Sequence, residues 1–335
     1  MVKIIKPKHL KEGDIIGVVS PSSTIKPFPR RLQRGLVALE KLGLKVKLGK
    51  YAVSSFRHTG GTSKQRAEDI MNFFKNDEIK AIICSTGGWN SNSVLPFLDF
   101  DLIKQNPKIF CGFSDITMLN LALYKKSNLI TFNGPTILPT FGEYGGPDQF
   151  TIKWFKKALF ETKPLGVLEF PKEYTEEILW WETEDNRKRK MKEASPPKCV
   201  YEGESEGILI GGNLNTICAM TGTEFFPDFS NAILFLEDEG ESTSSTERNL
   251  VHLEQLGVFN KIKGLIYGRP FNLKIDSPEG KLFDILKDFG EKYKIPIIMD
   301  VDIGHTSPMI TLPIGVKTRI NSEKRIIEIL ENATE

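Results

Sequence analysis

Between residues 14 and 135 the chain repeats one plan: a short, nearly uninterrupted apolar run closes on small residues and gives way to apolar positions at helical spacing. Asp14 to Ser20 closes on Pro21-Ser22-Ser23, Ile79 to Cys84 on Ser85-Thr86-Gly87-Gly88, and Lys108 to Gly112 on Phe113-Ser114, with Leu44 to Leu48 and Leu129 to Pro135 as further runs. Strands that do not alternate apolar with polar must be buried on both faces, which is what a parallel sheet covered by helices requires. The intervening helices carry their own punctuation. Pro29 suits a first turn, Leu32, Leu36 and Leu39 share a face, and Gly43 ends that segment. Thr62 with Gln65 forms a capping box ahead of Ala67, Ile70, Met71 and Phe74, and another helix runs from near Pro147 to near Phe160. The expected fold class is therefore α/β, an N-terminal Rossmann-like doubly wound parallel sheet that binds ligands outside the carboxyl ends of its strands.

At 335 residues the chain exceeds one small core, and its character changes twice. Residues 1–165 read as the first domain. Residues 166–205 read as a linker and long loop, with the charged run Glu182 to Lys190, the pair Pro196-Pro197 and the unusual Trp180-Trp181. Residues 206–335 read as a second, β-rich, barrel-like α/β domain. Its strands are Gly207 to Gly211, Asn231 to Glu237, Lys263 to Gly268 and Ile297 to Asp302, with helices starting at a Ser244–Glu247 capping box and at Pro278. A formal charge of +2 with 26% charged residues gives no electrostatic case for nucleic acid or an anionic membrane. The scattered Cys84, Cys111, Cys199 and Cys218, the apolar-poor N-terminus and the lack of any long apolar run make a cytoplasmic protein without export signal the expectation.

Ser114 stands between a strand end and a helix start, where a hydroxyl is held out beside free backbone N–H groups. Two readings are open to it: a helix-capping serine, or a nucleophile on a turn related to G-x-S-x-G that lacks the second glycine. The Gly87-Gly88 turn is either a plain tight turn or a place where backbone amides approach a ligand. Of the four histidines, His9 lies in the terminal segment, His58 in a loop and His252 on a solvated helix face, which leaves His305, after Gly304 at a strand end, as the candidate base. Ser114, the strand-end Glu237 and His305 together supply the parts of a serine hydrolase. Trp180 and Trp181 either pack on a domain interface or stack on a flat ligand ring. Neither the P-loop signature nor G-x-G-x-x-G occurs, and no His or Cys pair has metal-site spacing, so no cofactor and no metal are expected.

Taken in order, Gly87-Gly88-Trp89-Asn90-Ser91-Asn92, Gly112-Phe113-Ser114-Asp115-Ile116-Thr117, Gly211-Gly212-Asn213-Leu214, Phe235-Leu236-Glu237-Asp238 and Gly304-His305 resemble the L,D-carboxypeptidase family of serine peptidases. The resemblance implies a Ser114–Glu237–His305 triad and an oxyanion hole of backbone amides at Asp115 and the Gly87-Gly88 turn. It also implies a homodimer. The glycine turn and the tryptophan-bearing segment are similar to the MccF branch, which confers self-immunity to microcin C by cleaving the amide of aminoacyl- or peptidyl-nucleotides. Trp180, Trp181 and Asn213 are then the expected substrate contacts. The other enzymatic branch removes the terminal D-alanine of a murein tetrapeptide. A non-enzymatic two-lobed binding protein for small ligands is the reading from a different class.

Overall fold

The computed structural model describes residues 4–335. The apolar runs fold into a six-stranded sheet ordered Leu312–Ile314, Thr131–Asn133, Ile109–Gly112, Ile79–Cys84, Ile15–Val19, Lys45–Leu48. Its last five strands are parallel, and the first joins antiparallel. The three central runs have hardly an exposed residue, which is why they do not alternate. Helices Pro29–Glu40, Ser63–Lys75, Thr117–Ser127 and Gln149–Phe160 cover the faces. Thr62 and Gln65 close the expected capping box reciprocally.

The second sheet has eight strands, ordered Gly166–Val167, Ile326–Ile329, Lys317–Asn321, Glu204–Asn213, Ala232–Glu237, Gly264–Gly268, Ile297–Val301, Lys198–Tyr201. Four consecutive strands from Glu204–Asn213 to Ile297–Val301 are parallel, and antiparallel neighbours flank them on both sides. The two sheets are stitched together where their strands end. A Cβ on Gly212 would lie 3.0 Å from Cβ of Thr117, and the Asn213 amide donates to Thr117 Oγ1 at 3.0 Å. The carboxyl ends of the strands that carry Ser114 and Glu237 thereby meet.

Three local expectations need correction. The segment from 166 to 205 contains short strands, including the hairpin pair Glu173–Tyr174 with Lys192–Glu193, too brief to show a period in sequence. The helix expected from Ser244 begins at Thr243 and is capped by Ser242, because Asp276 takes the Ser244 amide at 2.9 Å. The helix expected from Pro278 begins at Leu282, past the turn at Gly280. Among the described residues no helix is long and apolar enough to cross a membrane.

Candidate active site

Ser114 adopts φ 63°, a left-handed backbone that ordinarily costs a non-glycine residue about 1–3 kcal/mol. Its neighbours hold it there. A Cβ on Gly112 would lie 2.8 Å from Ile116 Cγ2 and 3.1 Å from Cys84 Cβ, so only glycine lets the chain turn this tightly. Ile116 packs into the corner where G-x-S-x-G would have its second glycine. Neither the short turn Ser114–Ile116 nor the helix after it is capped by a side chain, so the Ser114 hydroxyl is not spent as a cap.

Asp115 fixes the turn from the other side. Its buried carboxylate accepts from Ser22 Oγ at 2.5 Å and from the Ser91 amide at 2.8 Å, while its carbonyl accepts from Ser91 Oγ at 2.7 Å. Three strand-end loops are thus laced around Ser114. A Cβ on Gly87 would stand 2.9 Å from Ser114 Oγ, and one on Gly88, at φ 144°, would stand 2.5 Å from Ser22 Oγ. Among the described residues the amides of Gly88 and Asp115 donate no hydrogen bond within the protein.

Across the cleft, His305 Nδ1 lies 2.6 Å from Glu237 Oε2, and Glu237 Oε1 accepts from Asn213 Nδ2 at 3.1 Å. Asn213, expected to contact substrate, has another use: its Oδ1 caps the helix Leu214–Ala219 while its amide steadies Glu237, although the residue still lines the cleft. The other imidazole nitrogen, Nε2, lies 3.2 Å from Glu239 Oε2. Glu237 and Glu239 share a side because the chain runs on from the strand end at Glu237 to a bridge between Glu239 and Phe271, and Asp238 points the other way, accepting from Tyr267 Oη and Thr246 Oγ1. Burial opposes a charge on His305, but the Glu237 and Glu239 carboxylates outweigh it and push the imidazole up to about 10. The bond from His305 holds Glu239 below the usual carboxylate range. Phe113 meets the imidazole edge-on with 5.0 Å between ring centres. His58 and His252 bond Asn90 and Thr221 instead, the latter half-buried rather than solvated.

Three cavities reach Glu239, and two of them hold the other groups of this cluster. One of about 430 Å³ holds Ser114, Asp115, Gly88, Trp89, Asn213 and Glu239. The second, about 410 Å³, is walled by Phe113, His305, Trp180, Trp181, Arg31 and again Glu239. Trp180 is 66% exposed there, whereas Trp181 is wedged between Phe28 at 5.1 Å and the Arg31 guanidinium at 4.7 Å. In the basic run Arg187 is paired with Glu177 at 2.7 Å and Arg189 with Glu143 at 2.9 Å, while Lys188 and Lys190 form no ion pair among the described residues.

Residues 16–134 match the LD-carboxypeptidase N-terminal domain, and residues 206–320 match the LD-carboxypeptidase C-terminal domain. The chain belongs to the LD-carboxypeptidase family. It is a serine peptidase of α/β fold. Within the LD-carboxypeptidases it is 35% identical to the microcin C7 self-immunity protein MccF of Escherichia coli, over 96% of this chain and 94% of that one. It is 33% identical to a probable murein peptide carboxypeptidase of Bacillus subtilis, over 98% and 96% of the two chains. The solved structure of MccF in complex with aspartyl sulfamoyl adenosine superposes with a TM-score of 0.93 at 33% identity, covering 99% of this chain and 100% of that one.

Sequence reasoning missed Ser22 and Ser91, which bind Asp115, and missed Glu239. For Glu239 a signal existed, since an apolar strand running on into Glu-Asp-Glu puts the first and third carboxylates on one side as long as the chain stays extended.

Proposed function

We propose that this peptidase cleaves the amide bond of aminoacyl- or peptidyl-nucleotides, with Ser114 as nucleophile, His305 as general base and Glu237 as the group that orients the imidazole. His305 takes the Ser114 proton through Nε2, and Ser114 Oγ attacks the carbonyl carbon. The amides of Asp115 and of the Gly87-Gly88 turn hold the oxyanion. The proton then passes to the departing amine, and water hydrolyses the acyl-enzyme by the same steps. The observation that carries this reading is the pairing of a left-handed Ser114 with a His305–Glu237 couple at 2.6 Å on the facing strand ends.

Support for the nucleotide comes from the exposed Trp180 ring in the His305 cavity, since stacking on a base contributes about 1–3 kcal/mol. The MccF complex with aspartyl sulfamoyl adenosine supports it as well. The murein peptide carboxypeptidase relative, almost as similar, favours a second reading in which the terminal D-alanine of a murein tetrapeptide is removed. Purified protein assayed on an aspartyl sulfamoyl adenosine substrate and on an L,D-murein tetrapeptide decides between them: release of aspartate and sulfamoyl adenosine supports the first, and D-alanine release alone overturns it. The same reading takes the enzyme to be a cytoplasmic homodimer. The location is supported by four unpaired cysteines and the dimer by family resemblance, and sedimentation of a monomer at micromolar concentration would refute the latter.

A further inference from the structure

We propose that Glu239 is a positioning residue that holds Nε2 of His305 in the substrate-free enzyme and is displaced by the entering substrate, freeing Nε2 to turn to Ser114. The proposal rests on the reading of Ser114, His305 and Glu237 as the reacting set.

Both ring nitrogens of His305 face carboxylates, Glu237 at 2.6 Å and Glu239 at 3.2 Å. Nδ1 is hydrogen-bonded to Glu237, and Nε2 lies at ion-pair distance from Glu239, an approach that favours the imidazolium; a cation takes no proton from a serine. Among the described residues no hydrogen bond joins Ser114 Oγ to His305. The resting arrangement is thus one in which the base is occupied, and turnover needs Glu239 to leave.

Glu239 is built to leave and Glu237 to stay. The Glu237 side chain is 1% exposed and bonded to Asn213, whereas that of Glu239 is 54% exposed, lies beyond the last residue of its strand, and has His305 as its only polar partner among the described residues. It lines both the Ser114 cavity and the Trp180 cavity, so a substrate whose acyl part lies in one and whose leaving group lies in the other passes over its carboxylate.

The remaining charges near His305 are spoken for. Across the cavity Arg31 and Arg189 pair with Glu143, Glu177 pairs with Arg187, and Glu182 is exposed at the rim. Behind the ring Asp302 pairs with Arg269 at 2.7 Å and Asp238 binds Tyr267. On the acyl side Glu241 accepts from Ser245 and Asn215, and Arg248 lines the wall without forming an ion pair to Glu239. On the third side Lys192 pairs with Glu176, while Lys190 and Lys274 line a cavity with Glu239 without forming an ion pair to it, so His305 is the charged group in direct contact with the Glu239 carboxylate among the described residues. The imidazole, pushed up to about 10 with both carboxylates present, falls when Glu239 is neutral or displaced.

The test measures the His305 imidazole titration by NMR in substrate-free Ser114→Ala protein, with and without Glu239→Gln, assigning the signal by its loss in a His305→Asn variant. One opposite charge moves a neighbouring pKa by roughly one to three units, so Glu239→Gln is expected to lower His305 by at least about one unit. In the protein with Ser114 intact, the acid limb of kcat/KM, which reports the free enzyme, shifts down by a matching amount. An unchanged titration, or an unmoved limb, overturns the proposal, and Glu239→Ala serves as a second variant should the glutamine pack differently. Residual turnover by Ser114→Ala would instead refute the nucleophile assignment, while the NMR titration would still read the contact with Glu239.

Discussion

Gly304 rests directly on the side chain of Glu237: a Cβ there would lie 2.8 Å from Glu237 Cβ and 2.9 Å from its Cγ. The carboxylate is clamped beneath the residue that leads into His305, and Asn133 Nδ2 holds the preceding carbonyl, that of Ile303, at 2.9 Å. Gly304→Ala must push the strand end and the loop apart. A displacement of about 1 Å in a reacting group costs on the order of 10²-fold in rate, so kcat is expected to fall by about that factor with KM little changed. Overpacking of a buried site costs about 1–3 kcal/mol, so a thermal melt should show a folded but less stable protein. Wild-type kcat in this variant would show that the clamp does not set the His305–Glu237 geometry.

Asn213 combines two jobs that substitution can separate. Its oxygen caps the helix Leu214–Ala219 through the Thr216 amide at 3.1 Å, and its nitrogen reaches Glu237 Oε1 at 3.1 Å. Serine is also a good cap but is too short for the carboxylate. Asn213→Ser should therefore keep nearly full stability and lose up to about 10²-fold in kcat, the order of loss that misplacement of a reacting group by about 1 Å brings. Asn213→Ala should lose the same rate and about 1 kcal/mol of stability besides. Equal kcat in wild type and Asn213→Ser would leave the residue with a structural role alone.

The parts of the site that were legible in sequence are those set by local rules. A capping box is written within four residues, and strand-end runs place Ser114, Glu237 and His305 at carboxyl ends because burial on both faces shows as an unbroken apolar stretch. Neighbouring serines defeat such rules. Ser242 and Ser244 both qualify as caps, and the choice is made by Asp276, more than thirty residues away. The antiparallel addition of Leu312–Ile314 to the first sheet, the serines around Asp115 and the reach of Glu239 to His305 all depend on segments far apart in the chain, for which spacing carries no signal. The charged run from Glu182 reads as part of a linker and long loop, yet Asp185 in it pairs with Arg31 at 3.1 Å.

The two tryptophans should separate under substitution. Trp181 packs between Phe28 and Arg31, so Trp181→Ala removes both contacts and should destabilise the protein by about 1–3 kcal/mol, visible as a lower Tm. Trp180 is mostly exposed and anchors little. If its ring stacks on a nucleobase, Trp180→Ala should raise KM for a nucleotide substrate by roughly ten- to hundredfold with Tm and kcat nearly unchanged. A Trp180→Ala enzyme with wild-type KM would move the base-binding role away from this ring.

Far from the site, Asp69 makes stability depend on pH. The carboxyl is buried against Gly49, and burial, only partly offset by the Tyr51 amide at 2.9 Å, pushes it up to about 6. An acid raised above its ordinary value of about 3.9 binds its proton more tightly when folded. Its favourable contribution is therefore complete below the unfolded value and fades as pH rises through about 6. Asp69→Asn keeps an oxygen for the Tyr51 amide and removes the titration. The difference in Tm between variant and wild type should then move in the variant's favour from pH 4 to pH 7, with most of the change completed near the value of about 6 set by burial. Parallel melting curves across that range would show that Asp69 ionises in the folded protein as it does in the unfolded chain.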